Sequence, residues 1–263
     1  MAPTLDWLQK RLDLDDLGLR KMVLTFPPLL SYSVEGNMEP KLGFFEEEIG
    51  LSPSELHASI VDCPARLGYS DEDNMEPKLS WLETRLDLDA GQLRKIVLRL
   101  PAVLGLSVED NMAPTLDWLQ SRLDLDAAQL KQVFLGRPSL LGLSIEDNVA
   151  PKLEWLQTRF DLDDAGLRKM VLTLPTLLGY SVEVNMEPKL AYLEREIGLS
   201  RPELRDHVLR IPAILAYSLD KRYRQRVEAC RAAGVDATYV LTTITLTDGK
   251  FDKRLERRAN VSV

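Results

Sequence analysis

Residues 163–190 read DDAGLRKMVLTLPTLLGYSVEVNMEPKL, and closely similar units occupy almost the whole of the 263-residue chain. Two rows of prolines make the period clear, because each row advances in steps of 37 residues. One row is Pro27, Pro64, Pro101, Pro138, Pro175 and Pro212, and the other is Pro3, Pro40, Pro77, Pro114, Pro151 and Pro188. A unit of this length is too small to bury its own apolar face alone, so the period predicts a solenoid of stacked repeats.

The first half of each unit has the pattern of an α-helix. In one copy, Asn74 is a suitable N-cap and Pro77 falls in the first turn, where an amide hydrogen has no helical partner. The leucines that follow share one face of the helix: Leu79, Leu82 and Leu86. This pattern predicts a helix with one buried face.

The second half of each unit predicts another helix, which begins after an Asp or Ser cap. The caps are Asp15, Ser52, Asp89, Asp126, Asp163 and Ser200, and Glu55, Gln92, Gln129 and Glu203 complete capping boxes. In the copy after Asp89, apolar residues follow the i, i+3, i+4, i+7 spacing until Pro101 ends the helix. The predicted fold class is therefore all-α, with two helices and a short Pro-x-x-Leu turn in each repeat.

Two rows of large side chains also follow the period. One row is Trp7, Phe44, Trp81, Trp118, Trp155 and Tyr192, and the other is Tyr32, Tyr69, Leu106, Leu143, Tyr180 and Tyr217. Because leucine replaces tyrosine in the second row, we interpret both as core positions rather than as a platform for stacking bases.

Composition excludes several classes of function. No segment approaches the roughly 20 consecutive apolar residues that span a bilayer, so we expect no membrane partner. The two cysteines, Cys63 and Cys230, match no disulfide or zinc spacing. Neither histidine, His57 or His207, lies beside a nucleophile motif, and the chain has no glycine-rich phosphate or dinucleotide loop. We therefore expect a protein that is not an enzyme and that has no cofactor or metal.

The repeat resembles that of the mitochondrial transcription termination factor (mTERF) family. The resemblance is carried by the unit (Asp/Ser)-x-x-x-Leu-Arg-Lys-x-Val-Leu-x-x-Pro-x-Leu-Leu-x-Tyr-Ser-Val-Glu-x-Asn-Met-x-Pro-Lys-Leu. It is also carried by the closing segment ILAYSLDKRYRQR at residues 214–226, which is followed by Gly234 and by DGKF at residues 248–251. Gln225 departs from the family pattern, which usually has proline there.

The resemblance implies a left-handed superhelix of repeats, each with two helices and a short 3₁₀ turn, that binds double-stranded DNA or structured RNA in mitochondria or plastids. It divides the chain into repeats at residues 1–217 and a basic C-terminal element at residues 218–263. The first residues resemble the middle of a repeat, since residues 1–9 have the same sequence as residues 112–120. We therefore expect a truncated N-terminus with any targeting segment upstream, and a monomer.

Phosphate groups require Lys or Arg along one surface, and three sets of residues offer them. One row is Arg20, His57, Arg94, Lys131, Arg168 and Arg205; a second is Lys41, Lys78, Lys152, Lys189 and Arg226; the third set is the cluster Lys221, Arg222, Arg224 and Arg226. From these we predict a nucleic-acid site formed by Arg94, Lys131, Lys152, Arg168, Lys189, Arg205, Lys221, Arg222, Arg224 and Arg226. Such a site would modulate transcription or RNA metabolism.

The charge of the chain keeps a second hypothesis open. The net charge is −8, although residues 218–263 hold 10 Lys and Arg against 6 Asp and Glu. An acidic row also follows the repeats: Glu35, Glu72, Glu109, Glu146, Glu183 and Asp220. These carboxylates suit helix N-termini and need no ligand. The same acidity would suit a scaffold that holds a basic protein partner, and the basic rows would then be ordinary solvated helix positions.

Overall fold

The computed structural model describes residues 2–68 and 75–260, and within these ranges the protein is α-helical without β-strands. The first helices of the repeats are α1 (Ala2–Arg11), α3 (Glu39–Glu47), α5 (Glu76–Leu86), α7 (Ala113–Leu123), α9 (Ala150–Phe160) and α11 (Glu187–Tyr192). The second helices are α2 (Asp16–Thr25), α4 (Pro53–Asp62), α6 (Ala90–Arg99), α8 (Ala127–Gly136), α10 (Asp164–Thr173) and α12 (Arg201–Arg210). The predicted all-α repeat fold is confirmed.

The caps of the second helices agree with the sequence at every repeat. The side chains of Asp15, Ser52, Asp89, Asp126, Asp163 and Ser200 each accept a hydrogen bond from the third residue of the helix that follows. Reciprocal bonds complete the capping boxes at Glu55, Gln92, Gln129 and Glu203. A cap of this kind contributes about 1 kcal/mol to stability, so the chain specifies these six helix starts locally.

The first helices begin one turn earlier than the sequence predicted. Asn74, the predicted cap, lies outside the described residues, but its equivalent Asn111 lies within a π-helical turn, Val108–Met112. The cap of this turn is Ser107, whose hydroxyl accepts from the amide of Asp110 at 3.0 Å, while Asn111 Oδ1 accepts from the Ser107 amide at 3.1 Å. Similar turns occupy Val34–Met38, Ile145–Val149 and Val182–Met186.

Short 3₁₀ turns close the second helices. They occupy Pro27–Ser31, Pro64–Gly68, Pro101–Gly105, Pro138–Gly142, Pro175–Gly179 and Pro212–Ala216, each with proline first. The third residue of the turn enters the core, as Leu29, Leu140, Leu177 and Ile214 show. Burying a side chain of this size stabilises the fold by about 1.5–3 kcal/mol, so each turn also anchors its repeat.

The aromatic rows are less buried than expected. Tyr192 is buried, but Trp7, Phe44, Trp81, Trp118 and Trp155 are only half-buried. In the second row, Tyr32, Leu106, Leu143, Tyr180 and Tyr217 are half-buried, and Tyr69 lies outside the described residues. Half-buried positions tolerate leucine or tyrosine equally, because the tyrosine hydroxyl can reach solvent.

Residues after the last repeat form a π-helical turn, Leu219–Arg224, and three helices, α13 (Gln225–Ala232), α14 (Tyr239–Thr243) and α15 (Asp248–Ala259). The chain forms two compact units, Met1–Leu143 and Ser144–Val263. The division at residues 217 and 218 falls inside the second unit and stays a prediction from the sequence pattern. No helix in the described part of the chain has the length and apolar character needed to cross a bilayer.

Candidate nucleic-acid interface

The lysine row on the first helices points into the protein. The ammonium groups donate to backbone carbonyls 26 residues further along, in the next 3₁₀ turn. The pairs are Lys41 to Leu67 (2.7 Å), Lys78 to Leu104 (3.1 Å), Lys152 to Leu178 (2.6 Å) and Lys189 to Leu215 (2.6 Å). Each lysine therefore joins a first helix to the turn that closes its own repeat's second helix.

Lys152 and Lys189 do not have the position that phosphate binding requires. Both are buried, and each also donates to an asparagine side chain, Asn148 at 2.9 Å and Asn185 at 2.7 Å. Burial lowers the pKa of Lys189 to about 8, since desolvation disfavours its charged form. The prediction that these two lysines contact phosphate is corrected accordingly: they satisfy buried carbonyls, which would otherwise lack a donor.

The basic row on the second helices joins consecutive repeats. His57 Nδ1 is paired with the carbonyl of Leu12, Lys131 donates to the carbonyl of Asp87, and Arg205 donates to the carbonyls of Phe160 (2.6 Å) and Asp161 (3.1 Å). These carbonyls lie at the C-termini of first helices in the preceding repeat, where intrahelical partners are missing. A cation there satisfies the carbonyls and interacts favourably with the helix dipole.

Arg94 differs from this row because of one residue in the preceding repeat. It pairs with Glu55, the third residue of α4, which also accepts from the Ser52 hydroxyl at 2.6 Å. Bonds from Ser52 and then from Arg94 lower the pKa of Glu55 to about 2. In the repeat that precedes Arg205, the position equivalent to Glu55 is Gly166. A groove of about 610 Å³ lies here between α10 and α12. Without a carboxylate at that position, Arg205 turns to the helix carbonyls.

The structure therefore gives Arg94, Lys131 and Arg205 partners in the preceding repeat. Arg168 is half-buried and also makes contacts. Arg94, Lys131 and Arg205 are partly exposed while they make these contacts, and their role in phosphate binding stays a prediction from the sequence.

The C-terminal cluster divides into exposed and internal cations. Lys221 and Arg224 are exposed, and Arg224 pairs with Asp220 at 3.0 Å. Arg222 donates to the carbonyl of Leu246 at 2.7 Å and lies over the ring of Tyr217. Arg226 is 3% exposed, so its predicted contact with phosphate is also corrected. Lys221 and Arg224 alone keep the position that the sequence predicted for this cluster.

A second set of cations was missed by the sequence reasoning. Helix α15 buries Phe251 and Leu255 against the protein. On another face it exposes four cations with the spacing i, i+3, i+4 and i+7: Lys250, Lys253, Arg254 and Arg257. We call these four residues the α15 stripe. The excess of basic residues after Ser218 was the signal that could have located it.

The acidic residues of α15 lie apart from the stripe. Asp248, Asp252 and Glu256 follow one another at intervals of four residues, which places them along a separate flank of the helix. Within the described residues, the four side chains of the stripe have no hydrogen bond or ion pair. Four neighbouring cations repel one another. Binding of an anionic ligand would lower this electrostatic repulsion.

Together, these features define a class: an all-α repeat protein whose first helices are joined to 3₁₀ turns by lysines and whose last described helix is basic. A family model of mTERF matches residues 12–85 and 75–252. The chain therefore belongs to the mTERF family, a family of nucleic-acid-binding regulators of transcription. A comparison with curated proteins found no match to the chain.

Proposed function

We propose that this chain binds double-stranded DNA through the α15 stripe, together with Lys221 and Arg224, and regulates transcription termination or gene expression in mitochondria or plastids. The observation that carries the proposal is the exposed row of four cations on one helix face. The stripe extends over two helical turns, about 10 Å, which corresponds to about three base-pair steps. Contacts of this kind neutralise backbone phosphates and carry little sequence information.

The test is a gel-shift titration of duplex DNA at about 50 and about 200 mM salt. Binding through phosphates releases counterions, so affinity must fall steeply with salt. The quadruple variant K250A/K253A/R254A/R257A should bind more weakly and lower the magnitude of the salt slope by up to about 4.

A matched control removes the same charge elsewhere. Lys21, Lys95, Lys169 and Arg210 are exposed on second helices of the repeats. The variant K21A/K95A/K169A/R210A should keep the wild-type affinity and slope. Equal losses in the two variants would show that binding depends on total charge and not on α15, and would contradict the proposed site.

The alternative function is a scaffold for a basic protein, and one observation favours it. Every described member of the acidic row is exposed: Glu35, Glu109, Glu146, Glu183 and Asp220, while Glu72 lies outside the described residues. Failure to retain duplex DNA or RNA even at low salt, together with retention of a basic ribosomal or nucleoid protein, would replace the first proposal with this one.

A further inference from the structure

Arg226 donates four hydrogen bonds through Nη1 and Nη2. Its Nη1 donates to the carbonyls of Thr243 (2.7 Å) and Ile244 (3.3 Å). Its Nη2 donates to the carbonyl of Leu246 (2.7 Å) and to Asp248 Oδ1 (2.8 Å). These four acceptors belong to residues 243–248, the segment that joins α14 to α15.

The guanidinium group also touches α15 itself. Its Cζ lies 4.5 Å from the ring centroid of Phe251, which is one of the two residues that bury the helix. Asp248 is the first residue of α15, so the ion pair with Arg226 lies at the start of the helix. Cation–π contact adds to the hydrogen bonds where the cation is desolvated, as it is here.

Arg222 strengthens the same attachment. Its Nη1 donates to the carbonyls of Ile244 (3.3 Å) and Leu246 (2.7 Å), two of the acceptors that Arg226 uses. Two guanidinium groups, Arg222 from the π-helical turn Leu219–Arg224 and Arg226 from the first turn of α13, thus hold one short connection. The buried residues of α15 are Phe251 and Leu255, and the bonds to this connection add to their apolar contact.

We propose that Arg226, supported by Arg222, is a positioning residue for the nucleic-acid site. It makes no contact with phosphate and instead fixes the connection before α15, so that the α15 stripe is held in one orientation before DNA arrives. This inference rests on the proposed function, because the stripe is taken to be the DNA-binding surface. It replaces the direct role in phosphate binding that the sequence predicted for Arg226.

The two roles differ in their expected effect on binding. If Arg226 positions α15, its loss lowers the fraction of molecules in which α15 has the binding orientation. The apparent affinity for DNA then falls in proportion to that fraction. The bound state keeps the same phosphate contacts, so the salt slope stays unchanged. If Arg226 contacted phosphate, its removal would lower the magnitude of the slope by about 1.

The decisive substitution is Arg226→Lys, which keeps the positive charge but cannot reproduce four bonds from a planar guanidinium. The positioning role predicts about tenfold weaker binding of duplex DNA at unchanged salt slope for R226K and for R226M. A phosphate-binding role predicts near wild-type affinity for R226K and a loss for R226M alone. Should R226M fail to fold, R226K still separates the two roles.

The control is Lys152→Met, which removes another buried cation of the second unit with carbonyl partners far along the chain from α15. K152M should lower thermal stability and leave DNA affinity unchanged. Equal loss of affinity in K152M would show that general destabilisation explains the effect, and would overturn the positioning role.

Hydrogen exchange of the α15 amides, measured on the protein without DNA, separates this inference from the proposed function. Faster exchange in α15 of R226K and R226M than in the wild type or K152M supports the positioning role, even if wild-type protein binds no DNA. Unchanged exchange of α15, or wild-type DNA affinity in R226K, would overturn it.

Discussion

Buried lysines illustrate, at the scale of single residues, why charge alone does not locate a binding surface. Lys152 and Lys189 have the spacing expected of a phosphate-binding row, but their ammonium groups end on the carbonyls of Leu178 and Leu215. The flexible lysine side chain can direct its charge outward or inward from the same backbone position. Sequence shows the charge and its register, whereas only the packing of the next turn shows where the ammonium group ends.

Substitution of Lys152 tests the structural role of the row. Lys152→Met keeps most of the apolar side chain but leaves the buried carbonyl of Leu178 without its lysine donor. We expect the free energy of unfolding to fall by about 1–3 kcal/mol, measured by urea denaturation. Lys253→Met, an exposed member of the α15 stripe, is the control and should change stability little. Equal stabilities of the two variants would contradict the role of Lys152.

The lowered pKa of Lys189 predicts a dependence of stability on pH. Its pKa is about 8 in the folded protein and 10.5 in the unfolded chain. Between these values the unfolded chain binds more protons at this site, so the site's contribution to the free energy of unfolding increases with pH. Below about pH 8 both states are protonated, and the destabilising contribution is constant. The free energy of unfolding of the wild type minus that of K189M should therefore rise between pH 8 and 10.5 in denaturation experiments. A difference that stays constant or falls over this range would contradict the lowered pKa of Lys189.

At the scale of helices and turns, local chemistry explains most of what the sequence could predict. The six Asp and Ser caps act within four residues, so their pattern is visible without the fold. The π-helical turns were missed because Ser and Asn are both good N-caps, and in the structure Ser107, not Asn111, begins the helical segment. The α15 stripe was missed for another reason. Its four cations have helical spacing in the sequence, but four cations lie closer together at residues 221–226, and the prediction was placed there.

Comparison of equivalent repeats predicts a stabilising substitution in α10. Gly166 occupies the position that Glu55 has in α4, where the glutamate completes a capping box and pairs with Arg94. Gly166→Glu should therefore stabilise the protein by about 1 kcal/mol, by reducing backbone freedom and by offering Arg205 a carboxylate. The added Cβ would lie 3.0 Å from Asp163 Oδ1, the oxygen that caps the helix, but the same cap is made at Asp89 and Asp126 to Gln92 and Gln129, which already carry a Cβ.

Gly166→Ala is the control for this substitution, since it changes backbone freedom without adding a carboxylate. Thermal denaturation should rank the glutamate variant above the alanine variant, and both above wild type. An alanine variant at least as stable as the glutamate variant would contradict the proposed pairing with Arg205.

At the scale of the whole molecule, ion pairs between neighbouring repeats recur at equivalent positions, 37 residues apart. Arg159 pairs with Glu194 at 2.9 Å, 35 residues later, and Glu196 pairs with Arg231 at 3.2 Å across the same separation. The signs of the second pair are reversed, so a charge change in one repeat is matched in the next. Repeat period and helix content followed from the sequence, but these reciprocal partners required the stacked structure.

The contrast between the bonded cations that the sequence predicted in the repeats and the exposed, unbonded row on α15 is the main conclusion for function. In the repeats, the contacts of Lys152, Lys189 and Arg205 are internal, whereas the α15 stripe is exposed. The nucleic-acid surface that we propose is therefore concentrated at the C-terminal element. This differs from a row of phosphate contacts along the repeats, which the sequence predicted.

Chemical modification of lysines with and without duplex DNA tests this conclusion most directly. Reductive methylation, quantified by mass spectrometry, reports how accessible each ammonium group is. The account predicts that DNA protects Lys250 and Lys253, that Lys95 and Lys169 stay reactive, and that buried Lys189 reacts slowly throughout. Protection of Lys95 and Lys169 without any change at Lys250 and Lys253 would contradict it.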